Sequence, residues 1–191
     1  MELVEALYFM RFTDATPELM PEFIPVLEKQ EIARLVADIA RDISADYRDR
    51  DLVLIGVLTG AFIFLSDLVR RLTIPAHVDF LRAASYGDAM VSSGTVRLAM
   101  APQTDLTGRD ALLVEDIVDS GRTLSFLIDY LKQAGARSVK VCALIDKHER
   151  REVDVQADYA CHVVSEGFLV GYGLDYAEMY RGLPGIYHLK L

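Results

Sequence analysis

The chain has 191 residues, 52% of them hydrophobic and 26% charged, proportions that suit one folded domain and argue against disorder. Its 29 Asp and Glu against 20 Lys and Arg leave a formal charge of −9, so it offers no general basic face to a nucleic-acid backbone or an anionic membrane. Any phosphate chemistry has to come from a local, shaped site.

At the N-terminus Glu2 and Glu5 precede the first basic residue, Arg11. That charge order is wrong for a secretory signal, and a cytoplasmic location is expected. The stretch to about Pro25, with Pro17, Pro21 and Pro25, reads as an irregular arm. From Glu28 to about Tyr47 the residues Ile32, Leu35, Val36, Ile39 and Ile43 repeat at helical spacing. Leu52–Leu58 is a continuous apolar run, the signature of a strand buried on both faces. The uncharged run around it, Leu52 to Ser66, is too short for the roughly 20 residues of a membrane span. Gly60 marks a turn. Ala61–Leu72 reads as a helix with Ala61, Phe64, Leu65, Leu68 and Leu72 on one stripe, stopped by Pro75. His77–Ala84 is the next predicted strand.

Ser85–Val96 (SYGDAMVSSGTV) is rich in Gly and Ser and reads as a loop or hairpin, of a length that often serves as a lid. The strand–helix–strand pattern then recurs. Asp110–Asp116 is a strand and Asp119–Thr123 a turn. Thr123–Ala134 is a helix burying Leu124, Leu127, Ile128, Leu131 and Ala134. Gly135 ends it, and Ser138–Ile145 is another strand. Two such units imply right-handed parallel crossovers, hence an α/β fold around a central parallel sheet. Cys142 and Cys161 lack disulfide-framework or metal-ligand spacing and read as reduced, packed thiols. His77, His148, His162 and His188 are scattered, so no transition-metal site is expected.

In such a sheet, ligands bind at the carboxyl ends of the strands. The informative turn is Val114–Leu124, VEDIVDSGRTL. An apolar strand delivers Glu115 and Asp116 to the sheet edge, and Asp119 follows three residues on. Ser120, Gly121, Arg122 and Thr123 then open a helix. Gly121 allows close backbone approach, the helix amides favour an anion, and two hydroxyls add donors. Three carboxylates beside a phosphate cradle make sense if they hold sugar hydroxyls and a divalent cation. An ordinary N-cap by Asp119 or Ser120 would explain the turn alone, but not two acids ending an apolar strand. Neither a Walker A loop nor a dinucleotide fingerprint is present.

VEDIVDSGRTL closely resembles the 5-phosphoribosyl 1-pyrophosphate (PRPP) motif of the type I phosphoribosyltransferases. GVLTGAFIFL (Gly56–Leu65), SYGDAMVSSGTV, LIDKHERR (Leu144–Arg151) and FLVGYGLDYAEMYR (Phe168–Arg181) resemble the hypoxanthine-guanine branch of that family. The resemblance runs in order from about residue 30 to the C-terminus. It implies the type I phosphoribosyltransferase fold: a mostly parallel sheet flanked by helices, with a small hood from about 1–25 and 165–191 and a flexible loop at about 85–96. It also implies transfer of the phosphoribosyl group of PRPP to a 6-oxopurine, with Mg²⁺ and with release of pyrophosphate.

Residue by residue, the resemblance makes Glu115 and Asp116 the acids for the ribose hydroxyls and the metal's water shell. Ser120, Gly121, Arg122 and Thr123 become the 5′-phosphate loop, and Asp119 the base that takes the purine N7 proton. A carboxylate suffices there because the developing ribosyl cation acidifies that proton. Lys147 donates to the 6-oxo group, and an ammonium disfavours the amino group of adenine. Phe168 stacks on the purine, and the Leu169 backbone reads its edge. Asp175 binds a second Mg²⁺ and lies near the 2-position. Arg181 contacts pyrophosphate. Thr59 and Gly60 form the pyrophosphate loop with a cis peptide after Leu58, Thr59 standing where many relatives carry a basic residue. Ser85 and Tyr86 belong to the closing loop. A homodimer or homotetramer is expected from the family. A xanthine- or guanine-preferring enzyme and a PRPP- or nucleotide-sensing regulator are the alternatives.

Overall fold

The computed structural model describes residues 21–86 and 95–190. The expected arm up to residue 20 and the centre of the expected lid, 87–94, lie outside them. Among the described residues no helix is long and apolar enough to cross a membrane.

The described residues form nine strands and three helices in order: β1 (Glu22–Leu27), α1 (Lys29–Asp46), β2 (Leu52–Val57), α2 (Phe62–Val69), β3 (His77–Tyr86), β4 (Thr95–Met100), β5 (Asp110–Val118), α3 (Arg122–Gln133), β6 (Ser138–Lys147), β7 (Tyr159–Val164), β8 (Leu169–Val170) and β9 (Ile186–Lys190). Six strands form one sheet in the order β4-β3-β2-β5-β6-β7. Every neighbouring pair is parallel except the edge pair β3–β4. The carboxyl ends of β2, β3, β5, β6 and β7 therefore open at one edge.

Both faces of this sheet are covered, which is why β2 is apolar throughout and buried at all six positions. On one face α1 brings Ile32, Val36, Ile39 and Ile43 and α2 brings Phe64, Leu65 and Leu68 onto Leu54, Leu112, Val114 and Leu144. On the other, Leu124, Leu127 and Leu131 of α3 cover Val53, Ile55, Leu113 and Val141. These are the stripes read from helical spacing, with two exceptions at helix ends. α2 stops at Val69, leaving Leu72 beyond it and only half-buried. Ala134 is the exposed C-cap of α3. A helical stripe points at the core only while the backbone keeps helical geometry, so Ala134 leaves it where the chain turns, while Leu72 packs against the apolar layer from beyond the helix end. Cys142 and Cys161 are free and buried, on β6 and β7.

A second, antiparallel sheet has the order β1-β9-β8. The irregular arm expected up to Pro25 gives way to strand at Glu22. Pro25 is tolerated because β1 is an edge strand, and the register shifts between Pro25 and Leu27. The expected loop or hairpin at 85–96 is flanked by a hairpin's strands, with Ser85 opposite Val96 and Tyr86 opposite Thr95.

Candidate active site

Three turns leave the carboxyl edge side by side. The first, Leu58–Gly60, follows β2, and its Leu58–Thr59 peptide is cis. Thr59 is exposed and Gly60 buried. The Leu58 N–H donates to Leu81 O at 2.9 Å, tying the turn to β3.

The second turn ends β5. Leu112 and Val114 pack with α1 and α2, Ala111 and Leu113 with α3. Beyond the two acids the faces exchange: Ile117 packs with the first group and Val118 with the second. The alternation slips by one residue across Glu115-Asp116, and neither side chain is spent on the apolar layers. Asp116 lies against Gly60, and its Oδ1 accepts the Ile117 N–H at 3.0 Å.

Glu115 and Asp119 at this edge lack the compensation that a buried acid has at the opposite one. At the amino end of β5, the fully buried Asp110 carboxylate receives both arms of the Arg137 guanidinium and the Ser138 hydroxyl at 2.6 Å. The Arg137 hydrogen bonds hold its carboxyl below the ordinary range despite burial. Glu115 has no such partner: its Oε2 is buried without a hydrogen bond, as is Asp119 Oδ1. Burial, reinforced by Asp116, pushes the Glu115 carboxyl well up. Burial likewise pushes Asp116 up to about 6, against the pull of nearby Arg181 and with Asp175 adding to the rise. Uncompensated buried acids cost stability, and such costs concentrate where a ligand is held.

Gly121 is the N-cap of α3, at φ +82°. The ordinary cap by Asp119 or Ser120 does not form. No side chain caps α3, its first turn holds no acid, and Ser120 Oγ reaches the Arg122 N–H only at 3.4 Å. The helix thus presents bare amides and an unopposed dipole beside Thr123. The Arg122 guanidinium turns aside to pair with Glu152.

The third turn follows β6. Lys147 is the last residue of that strand, 5% exposed, and its ammonium lies 2.9 Å from Glu149 Oε2. Arg151, to which the sequence gives no role, ties two of the turns together. Its guanidinium donates to the carbonyls of Val118 at 3.1 Å, Asp119 at 2.9 Å and Lys147 at 3.0 Å, and to the Val155 carbonyl and the Asp146 carboxylate. The sequence signal was a basic residue four positions after Lys147, masked by a charged run that resembles a solvated surface.

The 168–181 segment closes the far side. Phe168 is 48% exposed, with its edge-to-face contact to Tyr176 at 5.5 Å. Leu169 is buried on β8. Arg181 donates to Gly173 O at 2.8 Å and pairs with Asp175 at 2.9 Å and Glu178 at 3.0 Å. Tyr172 Oη donates to Asp67 at 2.6 Å, fastening this segment to α2. Ser85 and Tyr86 end β3 at the same edge. The turns after β2, β5 and β6 leave one edge of the large sheet and present an anion cradle, two unsatisfied acids and a buried ammonium, with Arg181 near Asp116 and Phe168 exposed just before β8.

Comparison with known proteins agrees with this chemistry. The phosphoribosyl transferase domain family matches residues 25–177. A hypoxanthine-guanine phosphoribosyltransferase of Bacillus subtilis is 41% identical over 165 residues, 86% of this chain and 92% of the relative. A bifunctional TilS/HprT protein of Listeria innocua is 44% identical over 165 residues, and there the aligned part spans only 26% of the relative. A crystal structure of a hypoxanthine-guanine phosphoribosyltransferase from Bacillus anthracis superimposes with a TM-score of 0.83 at 35% identity, over 90% of this chain and 100% of that one.

Proposed function

Given that the chain belongs to the phosphoribosyltransferase family, in its hypoxanthine-guanine branch, we propose that it transfers the 5-phosphoribosyl group of PRPP to a 6-oxopurine, hypoxanthine or guanine, releasing pyrophosphate. The observation that carries this reading is the uncapped amino end of α3 beside two acids that the protein leaves uncompensated. A phosphate alone would be repelled by those acids, whereas a phosphorylated sugar with a diol and a metal-bound pyrophosphate satisfies both halves of the site.

In this reading the α3 amides and the Ser120 and Thr123 hydroxyls take the 5′-phosphate. Glu115 and Asp116 take the ribose hydroxyls. The amides of Thr59 and Gly60 and the Arg181 guanidinium take the pyrophosphate. Phe168 stacks on the purine, the Leu169 backbone reads its edge, Asp175 lies toward its 2-position, and Lys147 donates to its 6-oxo group. Asp119 Oδ1, a buried acceptor with no partner, takes the N7 proton as the glycosidic bond forms, which needs only a weak base because the two events are coupled. Ser85 and Tyr86 would help exclude water, which otherwise hydrolyses the activated sugar.

The donor set fits Mg²⁺. Oxygen ligands suit a hard cation, and positive charge would relieve the orphaned Glu115 Oε2. Among the described residues no cluster of three or more His, Cys, Asp or Glu is placed to hold a metal. The ion would therefore be shared with PRPP oxygens, through Glu115 and Asp116 and, for a second ion, Asp175. Bound Mg²⁺ would neutralise charge on the departing pyrophosphate.

A homodimer or homotetramer is part of the proposal, supported by the exposed Phe62 on α2 and Val78 on β3. So is cytoplasmic residence, since PRPP is a polyanion that does not cross a membrane unaided. The single-domain reading of the chain, with the β1-β9-β8 sheet as a hood over the base, belongs to it as well.

The test is nucleotide formation from PRPP and each of hypoxanthine, guanine, xanthine and adenine, with Mg²⁺ and with a chelator. Hypoxanthine and guanine should be consumed, adenine spared, and the chelator should stop transfer. Preferential use of xanthine would shift the assignment within the enzyme class. No product from any base would leave a binding protein that senses PRPP or nucleotide.

A further inference from the structure

Glu149 has no part in the chemistry described so far, yet one of its oxygens joins two pieces of the site. Oε2 lies 2.9 Å from the Lys147 ammonium and accepts the Gly167 N–H at 3.2 Å. Lys147 ends β6 in the large sheet, and Gly167 immediately precedes Phe168 and β8 in the small one. The backbone is closed around this crossing: Gly167 has φ +100°, and the Phe168 carbonyl accepts the Leu189 N–H at 2.9 Å. Phe168 is thus held by β9 through its carbonyl, and Gly167, next to it, by Glu149.

We infer that Glu149 is a positioning residue for base selection: it fixes the Lys147 ammonium and the Phe168 ring in a single frame. The inference rests on the proposed function, in which those two groups hold the purine. A lysine side chain has four rotatable bonds, and its ammonium has three donors but no fixed direction. One donor spent on Glu149 aims the others. Because the same oxygen holds Gly167, the donor for the 6-oxo group and the ring that stacks on the base cannot drift apart independently. The Lys147 hydrogen bond in turn holds the Glu149 carboxyl below the ordinary range, so it remains a charged acceptor. Its side chain is 40% exposed, which lets it be replaced without opening the apolar layers.

The experiment is steady-state kinetics on Glu149→Ala and Glu149→Gln in the full chain, with hypoxanthine, guanine and adenine against PRPP, and hydrogen exchange at the Gly167 amide of the free protein. Loss of one charge-assisted hydrogen bond is worth about tenfold. Glu149→Ala should raise the KM for hypoxanthine about tenfold and narrow the hypoxanthine-to-adenine ratio of kcat/KM about as much. The KM for PRPP should stay near that of the parent, and Gly167 exchange should speed up. Glu149→Gln keeps an acceptor of the same length and should fall between; it carries the test alone if the alanine variant fails to fold. An unchanged base KM, equal losses toward both substrates, or a lowered base KM showing that the carboxylate competes with the purine would each overturn the inference. A parent protein that makes no nucleotide from any base overturns the proposed function and this inference together, whereas nucleotide made by Glu149→Ala at unaltered base KM overturns the inference alone.

Discussion

Gly60 and Asp116 share a space with no room for a side chain between them: a Cβ built on Gly60 would stand 1.7 Å from Asp116 Oδ2. On the opposite side a Cβ on Gly173 would come within 2.1 Å of the Gly60 carbonyl. The turn after β2, the acid on β5 and the 171–175 segment are therefore in contact through hydrogen atoms alone at this point.

A methyl group there must displace Asp116 or the backbone. Gly60→Ala should lower stability by about 1–3 kcal/mol, the usual range for forced packing. The KM for PRPP should rise about tenfold or more, since in the proposed function the displaced groups hold the sugar and pyrophosphate. The KM for the purine should move much less. Thermal unfolding and two-substrate kinetics check both expectations, and equal damage to both Michaelis constants would count against this placement of PRPP.

Asp119 carries a buried oxygen with no hydrogen-bond partner, while its backbone is pinned by Arg151. Asp119→Asn keeps the shape and removes the basicity. Its kcat should fall about a hundredfold or more, the usual scale for a lost general base, with PRPP affinity little changed. A turnover equal to that of the parent would remove Asp119 from proton transfer.

Asp116 gives a pH dependence with a definite sign. Burial raises its carboxyl from 3.8 to about 6 in the folded chain. Between those values the folded protein binds more protons than the unfolded one, so stability falls as pH rises through this window. The full cost stands above pH 6 and is absent below about pH 4. Asp116→Asn should therefore stabilise the ligand-free protein by about 3 kcal/mol at pH 8, with the advantage vanishing near pH 4. Catalysis should be lost in the same variant. Denaturant titrations of both proteins across this range decide it, and a variant no more stable than its parent at pH 8 would show that the carboxylate costs nothing where it sits.

Most of the large sheet and the three helices among the described residues are legible because their signals are local. Leu52–Val57 reads as a doubly covered strand, and Ile32, Val36, Ile39 and Ile43 as one helical face, without reference to any distant residue. VEDIVDSGRTL was legible for the same reason, since acids, glycine and hydroxyls are contiguous in it. The residues in 168–181 proposed to hold the purine are legible through family resemblance, not through periodicity. β1, β7, β8 and β9 carry no comparable local signal: each is a strand through its partner, as with Glu22 opposite Lys190, Cys142 opposite Tyr159 and Leu169 opposite His188.

The order of residues alone determined that two carboxylates stand near the carboxyl end of an apolar strand and that a glycine opens the helix after them. Only the tertiary structure decided that Gly60 touches Asp116, that Arg151 grips Val118, Asp119 and Lys147, and that Glu149 reaches Gly167. These pairs are separated by 18 to 56 positions, apart from Arg151 and Lys147, which lie in a turn that the sequence presented as solvated. They form because parallel strands must be joined by long crossovers, and the crossovers bring unrelated strand ends to one edge.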